Sequence, residues 1–299
     1  MSQRLRGRVL GAAPQGRGTT DDDRATDPRP AGGSAGTEGT LGVVTRAVLR
    51  LRPGVAGANA ALVALPGFDA AVKLLAHAQR RLSGRITAFE LMWPDYYDAV
   101  LREAGKRAPL PPGSALYALV EMQGADPDAD AAPFGAMLET AMEGGLILDA
   151  ALARSQREVD DFWALRDGVA EVNARWSPVI NFDVSVPLTR IGACVEEIRA
   201  ALSASYPALQ CAFFGHAGDS NLHLLAGPID PIDPTGHGIE SLVYGIIRAF
   251  GGSISAEHGI GLHKKPWLSH SRNAEELALL RRLKTLMDPK GILNPGKVL

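Results

Sequence analysis

A strict alternation of apolar and polar side chains runs from Val179 to Val186 and stops at Pro187. One side of this stretch carries Ile180, Phe182, Val184 and Val186, and the other carries Asn181, Asp183 and Ser185. A period of two is that of a β-strand with one face in the core. Parallel strands are buried on both faces and read as unbroken apolar runs, so the alternation favours an antiparallel sheet.

Short apolar runs and amphipathic stretches follow one another along the rest of the chain. Strands are predicted over 43–51, 61–65, 86–92, 115–122, 145–148, 179–186, 209–214 and 222–225, and helices over 68–82, 95–104, 134–142, 156–174, 191–202, 239–250 and 275–287. A turn-rich tail begins at about residue 288. Such an order suits a parallel α/β sheet or an α+β sandwich, and the alternating strand favours the α+β class.

Composition places the chain among ordinary globular proteins, with 46% apolar and 21% charged residues in a length of 299. A net charge of −2 gives no reason to expect nucleic acid as a partner. Only Cys194 and Cys211 are present, which excludes a disulfide framework and a cysteine-rich metal cluster. Neither a transmembrane segment nor a secretory signal is predicted. A cytoplasmic location fits, with peripheral membrane association left open.

Residues 1–35 are rich in Gly, Pro, Arg and Thr and show no period of a helix or strand, so disorder is predicted there. A glycine-rich turn follows, made of Gly36, Thr37, Glu38 and Gly39. Backbone amides in such a turn can contact a cofactor, although a plain loop before a strand accounts for it equally simply.

The densest chemistry lies in two segments, 215–223 and 255–261, whose ionisable side chains are His216, Asp219, His223, Glu257 and His258. Gly215, Gly218 and Asn221 argue against a helix between the first two histidines. A turn between two strands then brings these histidines together.

Two imidazoles and a carboxylate are a common donor set for a divalent metal, typically zinc, with an open coordination position. We therefore predict His216, His223 and Glu257 as metal ligands. The adjacent His258 is left as a general base suited to neutral pH. Taken singly, each histidine is more simply explained as a hydrogen-bonded structural residue, and it is the three together, with Glu257 beside His258, that favour a site.

Two basic residues extend this predicted site. Arg166, on its helix, can hold a substrate carboxylate with two parallel hydrogen bonds, but a solvated helix-surface arginine is the simpler explanation from the residues alone. Lys264 follows the Glu257 loop closely enough to face the same pocket.

Three motifs in order resemble one known family. They are Gly215-His216-x-Gly218-Asp219-x-Asn221-Leu222-His223, Ser255-x-Glu257-His258-Gly259-Ile260-Gly261, and the run from Asp288 to Lys297. With the turn at 36–42 they are similar to the C-terminal domain of FAD-linked oxidases, which include D-lactate dehydrogenases, D-2-hydroxyglutarate dehydrogenase and the glycolate oxidase FAD subunit. This resemblance covers about residues 36–299.

The resemblance implies a substrate domain, over about 55–299, built on an antiparallel sheet flanked by helices, and oxidation of a D-2-hydroxy acid with hydride passing to FAD. It implies the same metal ligands, His258 as the base and Arg166 as the carboxylate-binding residue. It further implies that Gly36, Thr37, Glu38, Gly39 and Asn294 contact the cofactor, and that Lys264 and Asn181 lie at the substrate.

The sequence departs from the family pattern in three places. Asn181 stands where many members have a lysine, Leu225 replaces an asparagine, and Ser220 replaces a glycine. Residues 36–54 resemble only the end of a FAD-binding domain. The chain is therefore expected to be a C-terminal fragment that works with a FAD-binding half, which could be a separate chain. Two other functions stay open, a metal-dependent hydrolase using the same ligands and a non-catalytic relic.

Overall fold

A computed structural model describes residues 36–45, 54–229 and 233–299. Its seven strands are β1 (Gly57–Leu65), β2 (Ile86–Met92), β3 (Leu116–Gly124), β4 (Asp149–Leu152), β5 (Ile180–Ser185), β6 (Gln210–His216) and β7 (Asn221–Gly227). Its eight helices are α1 (Phe68–Arg81), α2 (Pro94–Glu103), α3 (Pro127–Glu143), α4 (Gln156–Arg166), α5 (Val169–Trp176), α6 (Ile191–Ser205), α7 (His237–Ala249) and α8 (Ala274–Met287). The predicted disorder of 1–35 lies outside the described residues.

All described strands join one sheet in the order β4-β1-β3-β2-β6-β7-β5, and every neighbouring pair is antiparallel. This confirms the antiparallel sheet predicted from the alternating strand. The four strands of residues 57–152 form one side and the three strands of residues 180–227 form the other. The two sides meet where β2 pairs with β6 over three residue pairs, Glu90↔His216, Leu91↔Gly215 and Met92↔Phe214.

Helices cover both faces of the sheet. Buried side chains of α1, α3, α6 and α7 pack on one face, and those of α2, α4 and α5 pack on the other. Because both faces are covered, the central strands β1 and β3 are buried along most of their length. Apolar and polar residues alternate along β5, and this strand lies at the edge of the sheet. Helix α8 has no buried residue.

Three predicted elements differ from the structure. The predicted helix over 156–174 is two helices, because the chain turns at Asp167 and Gly168; a side chain at Gly168 would lie 2.6 Å from Val100 Cγ1. The predicted strand over 145–148 is a turn, and β4 begins at Asp149. Helix α3 begins earlier than predicted, because Asp126 caps it by accepting the Ala129 amide proton.

The predicted strand over 43–51 is not seen where it can be checked. Residues 43–45 belong to neither a helix nor a strand, and the rest of the predicted strand, 46–51, lies outside the described residues. The predicted turn-rich tail is confirmed, since residues 288–299 contain turns and bends. Among the helices of the described ranges, none combines the length and apolar character that crossing a bilayer requires.

Candidate active site

A row of ionisable side chains crosses four neighbouring strands on the face packed against α2, α4 and α5. The strand register pairs Glu90 with His216 and His223 with Asp183, and Phe214 links the two pairs because it is the partner of His223. Directly paired residues of antiparallel strands point to the same face, as do residues two apart. The four ionisable residues therefore lie side by side on β2, β6, β7 and β5.

Glu90 binds two of the predicted site residues at once. Its carboxylate accepts a hydrogen bond from His216 Nδ1 at 2.8 Å and another from Arg166 Nε at 3.0 Å, and only 2% of the residue is exposed. Burial acts to raise the pKa of Glu90, but the hydrogen bond from His216 and the charge of Arg166 outweigh it, so the pKa is lowered.

The partners of His216 select its tautomer. A carboxylate only accepts and a guanidinium only donates, so Nδ1 carries the proton and Nε2 accepts from Arg166 Nη2 at 2.8 Å. Nε2 also lies 3.8 Å from Glu257 Oε2. The lone pair that a metal needs thus points toward Arg166 and Glu257.

His223 is the most enclosed of the predicted ligands, at 7% exposure. Its ring lies 5.4 Å from that of His216 and 5.8 Å from that of His258, measured between centroids. Burial lowers the pKa of His223 to about 4, and the nearby His216 and Arg166 act in the same direction. A neutral imidazole able to coordinate a metal is therefore favoured at His223.

The segment 255–261 crosses the end of this row and carries Glu257 and His258, both exposed. Asp183 lies beneath it with no exposed surface and accepts the amide protons of Ala256, Glu257 and His258 at 2.8–3.2 Å. Although burial acts to raise the pKa of Asp183, these amides and Lys264 lower it to about 2. A fixed negative charge therefore holds the loop.

Lys264 points into the protein beneath the same loop. Its Nζ donates to the Asp183 carbonyl at 2.9 Å, to Asp183 Oδ2 at 3.3 Å and to Ser255 Oγ at 3.1 Å, and the residue is 8% exposed. In this arrangement the ammonium group neutralises Asp183 and supports the loop from below.

Two overlapping groups of side chains have ligand atoms within 4.8 Å of one another. One contains His216, His223 and Glu257, and the other contains Asp183, His223 and His258. The oxygens of Asp183 already accept amide and ammonium protons, whereas no such bond occupies the exposed carboxylate of Glu257 in the described structure. The donor set of the first group fits a divalent metal, which would take the His216 Nε2 lone pair from Arg166.

The predicted cofactor residues come together at the far side of the loop. Glu38 accepts the amide protons of Ile260 and Gly261 at 2.5 and 2.8 Å, and its backbone carbonyl accepts from Asn294 Nδ2 at 2.5 Å. A cavity of about 420 Å³ opens between residues 36–41 and the loop, with Glu257 and His258 in its wall. Gly36, Thr37 and Gly39 belong to this turn, so the cavity joins the predicted cofactor and catalytic residues.

Asn181 and Leu225, two of the positions where the sequence departs from the resembled pattern, are direct partners across β5 and β7. Asn181 is exposed, whereas Leu225 is 1% exposed and belongs to the apolar cluster under α2, α4 and α5. They lie two residues beyond Asp183 and His223 on the same face. The two departures therefore form one neutral patch beside the ionisable row.

Comparison with protein families gives a match over most of the chain. The model of "FAD linked oxidases, C-terminal domain" matches residues 56–298. This chain belongs to the FAD linked oxidase family. Its membership confirms the resemblance seen in the three sequence motifs.

The relatives of this FAD linked oxidase chain that are described below are all named as dehydrogenases of D-2-hydroxy acids. The chain is 38% identical over 271 residues to a D-2-hydroxyglutarate dehydrogenase of Xanthomonas citri, and the match covers 88% of this chain and 56% of that protein. A mitochondrial D-2-hydroxyglutarate dehydrogenase of Bos taurus is 36% identical, with 88% and 48% covered. A putative mitochondrial D-lactate dehydrogenase of Schizosaccharomyces pombe is 32% identical, with 88% and 52% covered. The chain thus spans about half the length of these curated relatives.

Solved structures with the same fold are more distant in sequence. An alkyldihydroxyacetonephosphate synthase superposes with a TM-score of 0.56 at 17% identity, covering 87% of this chain and 48% of the other. A p-cresol methylhydroxylase superposes with a TM-score of 0.56 at 13% identity, covering 83% and 54%. These likenesses establish the fold that this FAD linked oxidase domain adopts.

Sequence reasoning did not select Glu90 or Asp183, the two buried carboxylates that organise this FAD linked oxidase site. Glu90 is a single charged residue in the otherwise apolar run Ala88-Phe89-Glu90-Leu91-Met92, and such isolation is a signal for a buried, paired charge. In the sequence, Asp183 is one of the polar residues of an alternating strand. Its burial follows from the loop that covers it.

Proposed function

We propose that this chain supplies the substrate-binding half of a flavin-linked dehydrogenase for D-2-hydroxy acids. The observation that carries the proposal is the meeting of three ligand groups, His216, His223 and Glu257, within 4.8 Å, with Arg166 beside them. The family and its named relatives support oxidation rather than hydrolysis at this donor set.

A divalent metal, zinc in our proposal, suits these residues because imidazole nitrogen and carboxylate oxygen are its usual ligands. Held there, it supplies Lewis acidity that lowers the pKa of a substrate hydroxyl. Glu90 fixes the orientation of the His216 ring, as carboxylates commonly do for metal-bound histidines. Burial keeps His223 neutral over the physiological pH range.

His258 takes the hydroxyl proton in our proposal. It is exposed at the wall of the 420 Å³ cavity, a volume within the range of about 300–1,000 Å³ typical of ligand pockets. Its backbone is fixed by the bond from His258 N to Asp183. A base on a fixed backbone beside an open cavity is positioned to meet a substrate.

Arg166 binds the substrate carboxylate. Its Nε is fixed by Glu90, and its guanidinium faces the metal-ligand group. Lys264 supports the loop from beneath, and Asn181 lies at the outer end of the row, where it meets the distal part of a longer substrate. We propose D-2-hydroxyglutarate first and D-lactate second, following the names of the relatives.

FAD is the electron acceptor in this proposal and, when bound, would accept the hydride from the substrate. Gly36, Thr37 and Glu38 line the same cavity as His258, and Asn294 donates to the Glu38 carbonyl. The backbone of Gly36 is open, since a side chain there would meet no atom within 4 Å. A FAD-binding half, in the same polypeptide or a separate one, completes the flavin site. A cytoplasmic location remains a prediction.

Calorimetric titration of the chain tests this function without requiring flavin. The chain loaded with Zn²⁺ should bind D-2-hydroxyglutarate or D-lactate, bind the L-enantiomers at least tenfold more weakly, and lose binding when the metal is chelated. Equal binding of both enantiomers, or binding that survives chelation, contradicts the proposal.

The zinc content of the His216→Ala variant tests the assignment of His216 as a metal ligand. His237→Ala is the control, because His237 is exposed and lies on α7 outside the site. We expect the first variant to lose stoichiometric zinc and the second to keep it. Unchanged zinc in His216→Ala would refute the ligand assignment. Reduction of added FAD by the D-hydroxy acid, followed by absorbance, then tests the redox step.

A further inference from the structure

The loop 255–261 is held by two carboxylates, Asp183 and Glu38, that are far apart in the sequence. Asp183 accepts the amide protons of residues 256–258 from beneath. Glu38 accepts those of Ile260 and Gly261 from the other side. Five of the seven residues in the loop thus donate their amide protons to one of two carboxylates.

The contact between Glu38 and the loop is specific in its geometry. Its two oxygens each take one amide, at 2.5 and 2.8 Å. Gly259 has a positive φ of 82°, and a side chain there would lie 2.8 Å from the Glu38 carboxyl carbon. Only a glycine at this position lets the carboxylate approach both amides.

Glu38 is itself fixed by the C-terminal tail. Its backbone adopts a φ of 52°, and its carbonyl accepts the side-chain amide proton of Asn294. The tail closes the arrangement from a third side, because Val298 N donates to the Gly261 carbonyl at 2.9 Å. The turn at 36–39, the loop and the tail therefore form one hydrogen-bonded unit.

We propose that Glu38 is a positioning residue that sets the location of Glu257 and His258 through the backbone of the loop. The inference rests on the function proposed above, because it assigns Glu257 to the metal and His258 to the proton. Its carboxylate is used by protein amides, so Glu38 acts on the reaction through the loop. Bonds from amides to a charged acceptor are roughly twice as strong as neutral ones, which suits a residue that fixes a loop.

The same arrangement connects the cofactor turn to the catalytic loop. Glu38 lies between Thr37 and Gly39, in the turn that lines the 420 Å³ cavity together with His258. Through its two bonds to Ile260 N and Gly261 N, Glu38 joins this turn directly to the loop that carries Glu257 and His258.

Two variants and one control test the positioning role in the full chain. Glu38→Gln keeps the size of the side chain but presents an NH2 group to one of the two amides. Gly259→Ala leaves Glu38 intact and blocks its approach. Glu275→Gln is the control, since Glu275 is an exposed carboxylate in the first turn of α8.

Amide hydrogen exchange by NMR and binding of Co²⁺, followed by its visible absorption, are the two readouts. Both variants should exchange the Ile260 and Gly261 amides at least tenfold faster and bind Co²⁺ about tenfold more weakly, the loss usual when a residue supporting a metal ligand is removed. The control should match the unaltered chain in both.

Unchanged exchange in Glu38→Gln overturns the inference. Faster exchange with unchanged Co²⁺ affinity overturns it too, since Glu38 would then stabilise the loop without setting the ligand. Absence of Co²⁺ binding by the unaltered chain refutes the metal site itself and the positioning role with it. Failure of the metal site is seen in the unaltered chain, whereas failure of the positioning role is seen only in the variants, so the two are distinguishable.

Discussion

Glu90 and His216 are direct partners across β2 and β6, and the Glu90 carboxylate accepts the Nδ1 proton of His216 at 2.8 Å. The same carboxylate holds Arg166 Nε at 3.0 Å. One buried charge therefore orients both a metal-ligand candidate and the candidate carboxylate-binding residue.

Replacing Glu90 tests that double role. Glu90→Gln should weaken zinc binding by about 10- to 100-fold, because the ring of His216 loses its charged partner. Glu90→Ala should also destabilise the fold by about 3 kcal/mol, since a largely buried Arg166 loses its buried carboxylate partner and keeps only the exposed Asp167. Zinc affinity and urea unfolding measure the two effects. Glu139→Gln, an exposed carboxylate on α3, is the control and should change neither.

The buried His223 predicts how stability depends on pH in the metal-free chain. Its pKa is about 4 when folded and about 6.5 when unfolded, so the unfolded state binds more protons between these values. Stability should be nearly complete at pH 7 and fall as pH drops, by about 2 kcal/mol between pH 7 and 5. The pKa of Asp183 is lowered to about 2, so the stability that this carboxylate contributes is lost only at lower pH, as it becomes protonated.

Urea unfolding with a chelator present, at pH 7, 6 and 5, measures this slope. His223→Gln should flatten it, whereas the exposed His237→Gln should leave it as it is. An unchanged slope in His223→Gln would mean that other groups cause the acid sensitivity.

Two glycines near His216 are expected to respond differently to substitution: Gly215 at the end of β6 and Gly218 in the turn that follows. A methyl group at Gly215 would overlap the carbonyl oxygen of Asn221, whereas nothing lies within 4 Å of one at Gly218. Gly215→Ala should therefore lower the free energy of unfolding by about 1–3 kcal/mol, as overpacked substitutions do. Gly218→Ala serves as the control and should fall within about 0.5 kcal/mol of the unaltered chain. Equal effects in both would contradict the close approach of β6 and β7.

The neutral patch of Asn181 and Leu225 predicts a change in substrate preference, given the proposed function. Asn181→Lys adds a cation at an exposed position on the face of the ionisable row. Binding of D-2-hydroxyglutarate should tighten by about two- to fivefold, the gain expected of an exposed ion pair, while D-lactate should be unaffected. Calorimetry with both acids measures this, and Asn181→Gln controls for side-chain length. Equal tightening for both acids would indicate a general electrostatic effect.

Local pattern predicted the parts of the molecule that depend on neighbours in sequence. The alternation at Val179 to Val186 indicated the antiparallel sheet, and Gly215 and Gly218 indicated the turn that brings His216 and His223 together. Glu90 could not be assigned to the site in this way, because its partner His216 lies 126 residues away in the sequence.

The break between α4 and α5 shows the same limit. The helical period runs on through Asp167 and Gly168 in the sequence, whereas the chain turns there and Val100 of α2 packs against the Gly168 backbone. Likewise, the burial of Asp183 depends on a loop about 75 residues further along the chain. Each of these features is set by tertiary contacts that periodicity does not encode.

The short junction between β2 and β6 has a consequence for the order of folding. Among the described residues, the strands of 57–152 pair only with one another apart from this junction. The strands of 180–227 do the same, except that Ser185 also forms an isolated bridge with Ser253. Partners within a half lie at most 91 residues apart in the sequence, as Ala61 and Leu152 do, whereas the three pairs of the junction lie 122–126 residues apart and close the longest loop of the sheet. We expect the junction to form late. A folding intermediate would then contain most of its secondary structure and still keep Glu90 apart from His216, so the hydrogen bond between them marks the completed fold.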